Sequence, residues 1–513
     1  MSVTIQPSSP TDAEIIAQLR KQLGATQNQL QWAELKIEAL EARLRKLRID
    51  KYGLGSEKLS DAQLELLELE PGVSGAEVQA ESQRPKIPAT TQPRQKHPGR
   101  QPLPPDLPRV EKIVPCTPEQ CVCPGCGGQR AIIGHEASEQ LDVEPAKYFV
   151  RVTKREKRAC GQCEAGGVVT APLPSRIIEK GLASDAIVID TLVNKYCDHV
   201  PLYRQSAILA RDAGVEVSRA TLDDWVLHVG EFLVPLVGAM QQELLSESYL
   251  QADETPVAVQ MHDGRGKNHQ AYLWQYGSPG GNVIFDFRLG RERDGPKKFL
   301  GSFHGILQSD GYAAYDQIGG PNLVHVGCWS HTERYFAEAV ALNPQDPWAT
   351  PVLARIADLF AIDAEARRQN LTLEGRHALR QEKSRPLLGI IRQQVEAARA
   401  QVLPASALAK ACNYMLGQWE RLARCLDYAQ VELSNNWAEN SMRPVAVGRK
   451  NWIHIGSAQA GPKIAAIFSI AESCRRRKIP VRSYLGAVLP GLANVPIQRL
   501  PELTPAAWNQ QRS

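Results

Sequence analysis

The runs LQADETPVAV (250–259), QAYLWQYG (270–277), NVIFDFRL (282–289) and GILQSDGY (305–312) follow one another with Gly, Pro and Asp turns between them. Each is short, apolar and bounded by turn residues, which predicts strands. The period changes on either side. Helical sequence runs from Ser184 through His199 to Gly230, and the stretch from Thr332 to Gln430 reads as helical again with Pro-containing breaks. The predicted core is therefore α/β, a mixed sheet interrupted by a large helical insertion. No internal repeat is evident.

Two of these runs end on acids. Asp253 closes YLQA and precedes Glu254-Thr-Pro, and Asp310 closes ILQS and precedes Gly311-Tyr312. An acid at the exit of an apolar strand faces the cleft at the sheet's end, and neighbouring strands bring two such acids within reach of one metal ion. A third, Glu439, lies in SNNWAENSMRP (434–444), which reads as a capped helix start, and Arg443, Arg449 and Lys450 follow on the next turns, suited to phosphates. Hard divalent ions prefer oxygen ligands. Two such ions suffice for phosphodiester chemistry without a protein nucleophile. Taken singly, each acid reads equally as a turn or cap residue; the three contexts together make the candidate site.

The rest of the chain sets bounds. Its 513 residues exceed one core, and 43% hydrophobic with 23% charged residues match ordinary globular proteins. A formal charge of +4 says little about partners. Local clusters say more: Arg43 to Lys51, Arg151 to Arg158, and Arg475-Arg476-Arg477-Lys478. The N-terminus lacks the charged-then-apolar pattern of a signal peptide, and no apolar run reaches the ~20 residues of a membrane helix. Of the 11 cysteines, a cluster falls between Cys116 and Cys163. That clustering favours metal ligation over disulfides and a reducing, cytoplasmic setting.

Cys123-Pro-Gly-Cys126 and Cys160-Gly-Gln-Cys163 are two C-x-x-C knuckles. Together they supply four soft ligands, the set for a tetrahedral structural zinc with no position left open for catalysis. Cys116 and Cys121 are alternative ligands. Upstream, Leu23, Leu30, Ile37 and Leu44 interleave with Leu19, Thr26, Ala33, Leu40 and Leu47 in steps of four and three, the seam of a coiled coil and a route to self-association. Downstream, the run from Pro201 to Gly214 and the run opened by Ser218 form a helix-turn-helix pattern, with Arg219 where a recognition helix meets base edges.

Several ordered stretches carry a family resemblance: LRKLRIDKYGLGSEKLS (44–60), HPGRQPLPPDLPR (97–109), the two knuckles, PLYRQSAILARDAGVEVSRATLDDWV (201–226), ADETPV, LQSDGYAAYD, GCWSHTERYF (327–336) and NNWAENSMRPVAVGRKNWIHIGS (435–457). The sequence resembles the transposases of insertion-sequence family 66 over nearly its whole length. The resemblance implies an RNase-H-like catalytic core whose acid triad is Asp253, Asp310 and Glu439, with Mg2+ (or Mn2+ in its place). It also implies terminal inverted repeats and target DNA as substrate, a homo-oligomer on DNA, and small companion proteins encoded beside it. His331 and Arg334 match the family pattern too; His331 either contacts the scissile phosphate or satisfies a core hydrogen bond. The sequence departs from the pattern at Asn440-Ser441-Met442, where Arg-Ala-Ile is usual, and at Thr332 and Glu333, where Ala and Arg are commoner. These changes bear on DNA contact rather than on the triad.

The expected organisation is a coiled-coil and DNA-binding region at 1–70, a Pro-rich basic linker at 71–110 and a zinc module at 111–175. A helical helix-turn-helix region at 176–247 follows, then the catalytic domain at 248–460 with its insertion at about 332–430, and a helical C-terminal region at 461–513. Two rival readings stay open: a nuclease or resolvase that stops after hydrolysis, and a non-enzymatic DNA-binding regulator, which would not need the motifs between 250 and 460.

Overall fold

The computed structural model describes residues 147–511 apart from 160–167, 173, 180, 262 and 265, together with 22–24, 26, 27, 30 and 37. The chain divides into two units, and of the one spanning 48–148 only Lys147 and Tyr148 are described. The linker and Cys123 and Cys126 thus lie outside the described residues, as do Cys160 and Cys163. Of the expected coiled-coil seam, Leu23, Leu30 and Ile37 are helical and 60%, 60% and 56% exposed; its other positions, Thr26 apart, lie outside the described residues.

Strands β1 (Lys157–Ala159) and β2 (Val168–Thr170) pair antiparallel and flank the second knuckle in sequence. Helices α1 (Asp185–Tyr196), α2 (Leu202–Ala213) and α3 (Arg219–Leu245) follow. Gly214 ends α2 in the left-handed region at φ +65°, a conformation a Cβ would strain. Ser218 then caps α3, accepting from the Thr221 N–H at 3.1 Å. Helix α3 does not stop near Gly230; it continues to Leu245 because Leu222, Val226, Val229, Leu233, Leu236, Met240 and Leu244 make one unbroken buried stripe.

The sheet has the order β5-β4-β3-β6-β7. Its strands are β3 (Tyr249–Val259), β4 (His269–Gly277), β5 (Val283–Arg288), β6 (Ile306–Gln308) and β7 (Val324–Val326), with the short helix α4 (Asp294–Leu300) before β6. The β3–β4 and β4–β5 pairs are antiparallel, the β3–β6 and β6–β7 pairs parallel. Between β7 and the helix carrying Glu439 come α5 (Trp329–Leu342), α6 (Ala349–Arg368), α7 (Leu373–Leu379), α8 (Arg385–Gln401), α9 (Ala407–Gly417) and α10 (Trp419–Ala423). This is the predicted insertion, and it has a hydrophobic cluster of its own, including Trp329, Phe336, Ile356, Ile391 and Met415.

Helices α11 (Asn436–Trp452), α12 (Ala460–Arg476), α13 (Val481–Val488) and α14 (Pro505–Gln510) complete the chain. Helix α12 lies along β5, where Ser473 and Ser469 accept the N–H groups of Val283 and Phe285 at 2.9 and 2.8 Å, so the edge of the sheet is not left open. It crosses α3 at Gly230, where a Cβ would stand 2.9 Å from the Lys463 carbonyl oxygen. One buried cluster holds Leu192, Val226 and Leu233 with Leu273, Phe285, Ile467 and Tyr484. The helical region expected at 176–247 and the C-terminal region therefore share a core with the sheet; apolar burial joins them where the change of period predicted boundaries.

Candidate active site

The parallel pairing of β3 and β6 sets Gln251 opposite Gln308. Side chains in a strand alternate, so the residues two positions on, Asp253 and Asp310, leave the two strands on the same face. Asp253 lies within β3 rather than beyond it and pairs across β4 with Gln275. Asp310 lies just past β6 and turns the chain: its Oδ1 accepts the Tyr312 N–H at 2.9 Å, and Gly311 takes φ +86°. The carbonyl of Asp310 accepts the Tyr414 hydroxyl, which comes from the insertion.

Glu439 stands in the first turn of α11, where the helix dipole favours an acid. Helix α11 is held to β3 at both ends. At its start the Ala438 N–H donates to Gln251 Oε1 at 3.2 Å; beyond its end Ile455 N–H donates to the Ala258 carbonyl at 2.8 Å and the Gln260 N–H to the Ile455 carbonyl at 2.9 Å. Arg449 is part of the same attachment, donating to Thr255 Oγ1 and the Pro256 carbonyl at 3.0 and 2.7 Å. Arg443 and Lys450 are exposed.

Electrostatics marks the cleft. Burial pushes the Asp253 carboxyl well above the usual carboxylate range, and the charges of Glu254, Asp310 and Glu439 push the same way. Glu254, on the opposite face of β3, has a solution the others lack: its buried carboxylate meets Arg291 at 2.6 Å and the Tyr315 hydroxyl at 3.0 Å. Arg291 in turn stacks on Tyr312, 3.9 Å from the ring centre. Among the described residues no lysine or arginine is within ion-pair distance of Asp253, Asp310 or Glu439, and no three His, Cys, Asp or Glu side chains converge as a metal cluster. A cavity of about 680 Å³ between α3, α4 and residues 497–501 has no acid in its lining.

His331, on α5, is buried with its Nδ1 3.5 Å from Glu439 Oε1 and no hydrogen bond to that nitrogen. Burial and the nearby Arg334 hold its pKa below the ordinary histidine value. The structure thus brings His331 to the third acid. Arg334, one turn on, is exposed. Arg219 is exposed at the start of α3, away in sequence from the acids.

Sequence reasoning missed three buried polar residues close to the acids in sequence. Tyr249, Gln251 and Gln308 are buried and bonded to one another and to the segment before Glu439. Their signal was present: both acids stand in L-Q-x-D. In the basic cluster at 475–478, two arginines brace the molecule's own interior. Arg475 and Arg476 pair with the buried Glu472, and Arg476 also lies over Trp437 and donates to Ser441 Oγ at 2.9 Å. Ser441, one of the departures from the family pattern, is therefore an acceptor inside the molecule.

Among the described residues no helix is long and apolar enough to cross a membrane. A family profile described as "Transposase IS66 family" matches residues 180–463, which contain Asp253, Asp310 and Glu439. A second, "zinc-finger binding domain of transposase IS66", matches 120–164 and so covers all four knuckle cysteines. A third, "Transposase C of IS166 homeodomain", matches 39–111. The chain is 30% identical over 503 residues to uncharacterized protein y4hP of Sinorhizobium fredii, covering 92% of this chain and 89% of that one. It is 31% identical over 501 residues to uncharacterized protein y4qI of the same organism, covering 93% and 90%. A match that spans the sheet, the insertion and the helix bearing Glu439 shows that this chain belongs to the IS66 family of transposases.

Proposed function

We propose that this transposase cuts the ends of its element and joins them to target DNA at one site, with Asp253, Asp310 and Glu439 as the metal-holding acids of an RNase-H-like core. The observation that carries the reading is the register match: two acids two residues beyond a paired Gln251 and Gln308, with the helix of the third bonded to the same glutamine. The donor set fits a hard divalent ion, since it is all carboxylate oxygen and, among the described residues, has no lysine or arginine paired to it.

Held by these three carboxylates, Mg2+ or Mn2+ would supply an activated oxygen nucleophile and a counter-charge for the leaving 3′ oxygen. The chain's own residues do the rest. Asp253 must give up its proton before it can hold a cation, and its burial makes that step pH-dependent. His331 presents Nδ1 at 3.5 Å from Glu439 Oε1, placed to take a proton there. Arg291 keeps Glu254 paired and out of the set. Exposed Arg443 and Lys450 bind phosphates along α11. In the first step water adds to the phosphorus at the element's end and the 3′ oxygen leaves as a hydroxyl. In the second that hydroxyl attacks a target phosphate in line and displaces the target's 3′ oxygen.

End recognition falls to the helix pair α2–α3 through Arg219, and Cys123, Cys126, Cys160 and Cys163 bind one structural zinc. The exposed Leu23, Leu30 and Ile37 seam pairs two copies. A strand-transfer assay with the element's own ends tests the central reading. Joined product supports it; hydrolysis without joining would make the protein a nuclease.

A further inference from the structure

Tyr249, Gln251 and Gln308 form a buried polar cluster under the acids. Gln251 Nε2 donates to Gln308 Oε1 at 3.0 Å, to the Ser434 carbonyl at 3.0 Å and to the Tyr249 hydroxyl at 2.8 Å. Gln251 Oε1 accepts the Ala438 N–H. Gln308 Nε2 donates to the Gly327 and Glu432 carbonyls at 3.1 and 2.7 Å, and the Tyr249 hydroxyl donates to Gln308 Oε1 and accepts the Glu432 N–H at 3.2 Å. Both glutamines are fully buried.

Two amides would be a costly way to fill a core. Apolar side chains of the same shape avoid the desolvation of buried polar groups, which is recovered only when every group is bonded. Here, the Gly327 carbonyl apart, the bonds that leave the cluster run to one segment. From Glu432 to Ala438 the only fully buried side chains are Leu433, Asn435 and Ala438, of which Asn435 donates to the Ala252 carbonyl, yet the segment must bring Glu439 to Asp253 and Asp310. Each glutamine is fixed two residues before one of those acids, and each grips the segment leading to the third.

We propose that Gln251 and Gln308 are positioning residues for the acid triad: a two-strand amide clamp that sets the distance of Glu439 from Asp253 and Asp310. This rests on the triad reading above. The clamp acts through the acids, so its loss weakens metal binding before it weakens the fold.

The test uses the full chain. Gln251→Met keeps the length of the side chain and removes its hydrogen bonds. Mn2+ binding is followed by electron paramagnetic resonance, cleavage of a plasmid carrying the element's ends is followed against Mg2+ concentration, and the folded fraction by circular dichroism. The expected result is a folded protein whose Mn2+ affinity and half-saturating Mg2+ worsen by about 10–100-fold, as when a group that orients a metal ligand is removed, with part of the rate restored at high Mg2+. Unchanged metal response overturns the proposal, and so does activity lost only in proportion to the folded fraction. If Gln251→Met does not fold, Tyr249→Phe, which removes one hydroxyl from the same cluster, is read by the same criteria. Asp253→Asn serves as control. If it still cleaves, the triad reading itself is wrong, whatever Gln251→Met does.

Discussion

The backbone N–H of Ala438 donates to Gln251 Oε1 at 3.2 Å, which bonds the residue before Glu439 to the residue two positions before Asp253. Those positions are separated by the whole helical insertion in sequence. The insertion has its own core, so it folds around itself while its two ends return to the sheet at β7 and α11. Such an arrangement lets a long segment be carried between the second and third acids without moving either.

Asp310→Asn tests the second acid with little change of shape. The asparagine Oδ1 still accepts the Tyr312 N–H that shapes the turn. Cleavage and joining should fall by about three orders of magnitude or more, ~4 kcal/mol of barrier, while binding to end DNA persists. Wild-type cleavage by purified Asp310→Asn protein would remove this residue from the triad.

Asp253→Asn should make the metal-free protein more stable as it becomes inactive. The folded carboxyl is raised above its unfolded value, so the folded state binds that proton more tightly. Its stabilising effect is full below the unfolded pKa and is lost as pH rises through the ordinary carboxylate range toward the raised folded value. Asparagine cannot ionise and keeps the bond from the Glu254 N–H at 2.9 Å. In chelator at neutral pH, its melting temperature should lie above wild type by about 2–4 °C for each kcal/mol relieved, and the gap should close in acid. An equal or lower melting temperature at neutral pH would mean that Asp253 is not strained by its charge.

The strands and their acids were legible because short apolar runs between turn residues carry their own signal. The insertion was legible from its change of period. Three things were not. Helix α3 looked complete at Gly230, yet that glycine is there for the close crossing with Lys463, a contact made 233 positions later (463 − 230). Arg449 looked like a phosphate ligand and Arg476 like part of a charged surface cluster, because a basic residue carries no sign of whether its partner is DNA, water or its own chain; here they bond to β3 and to Ser441. Gln251 and Gln308 were passed over because burial of an uncharged amide depends on partners far away in sequence.

The insertion's buried ion pair makes a third prediction. Arg380 is 2% exposed, meets Asp363 at 2.7 Å and donates to the Cys425 and Val431 carbonyls, both at 2.9 Å. It therefore ties the insertion to the segment leading into α11. Arg380→Met should destabilise by about 3–5 kcal/mol, since it leaves a buried carboxylate short of its partner. Arg376 still pairs with Asp363, which places the effect toward the lower end. Adding Asp363→Leu should restore part of the loss. A denaturant titration of the single and double variants checks both; a double variant weaker than the sum of the singles would contradict a paired role.

Freshly purified protein should contain about one tightly held zinc per chain, and Cys160→Ser should lose it. Metal analysis without chelator decides. A zinc-free wild-type protein would leave the four cysteines as thiols and reduce the matched zinc-finger region to a fold without its metal.

The last prediction concerns end recognition. A fragment ending near Gly230 would cut α3 in mid-length and remove Leu233, Leu236 and Met240, all buried in the same core as Leu192 and Val226. DNA binding should therefore be measured on the full chain, in the Asp310→Asn background so that the substrate survives. Arg219 is exposed at the first position of α3, where Ser218 caps the helix and nothing in the core depends on it. If α3 enters the major groove there, Arg219→Ala should cost about 1–3 kcal/mol for end DNA and little for scrambled DNA. If Arg219 touches only phosphate, both DNAs should weaken alike and the salt dependence should flatten. Gel-shift titrations against both DNAs at two salt concentrations separate these outcomes. An unchanged affinity for both would take Arg219 out of the interface, and the exposed face of α2, where only Leu202 and Gln205 are buried, would be the next surface to substitute.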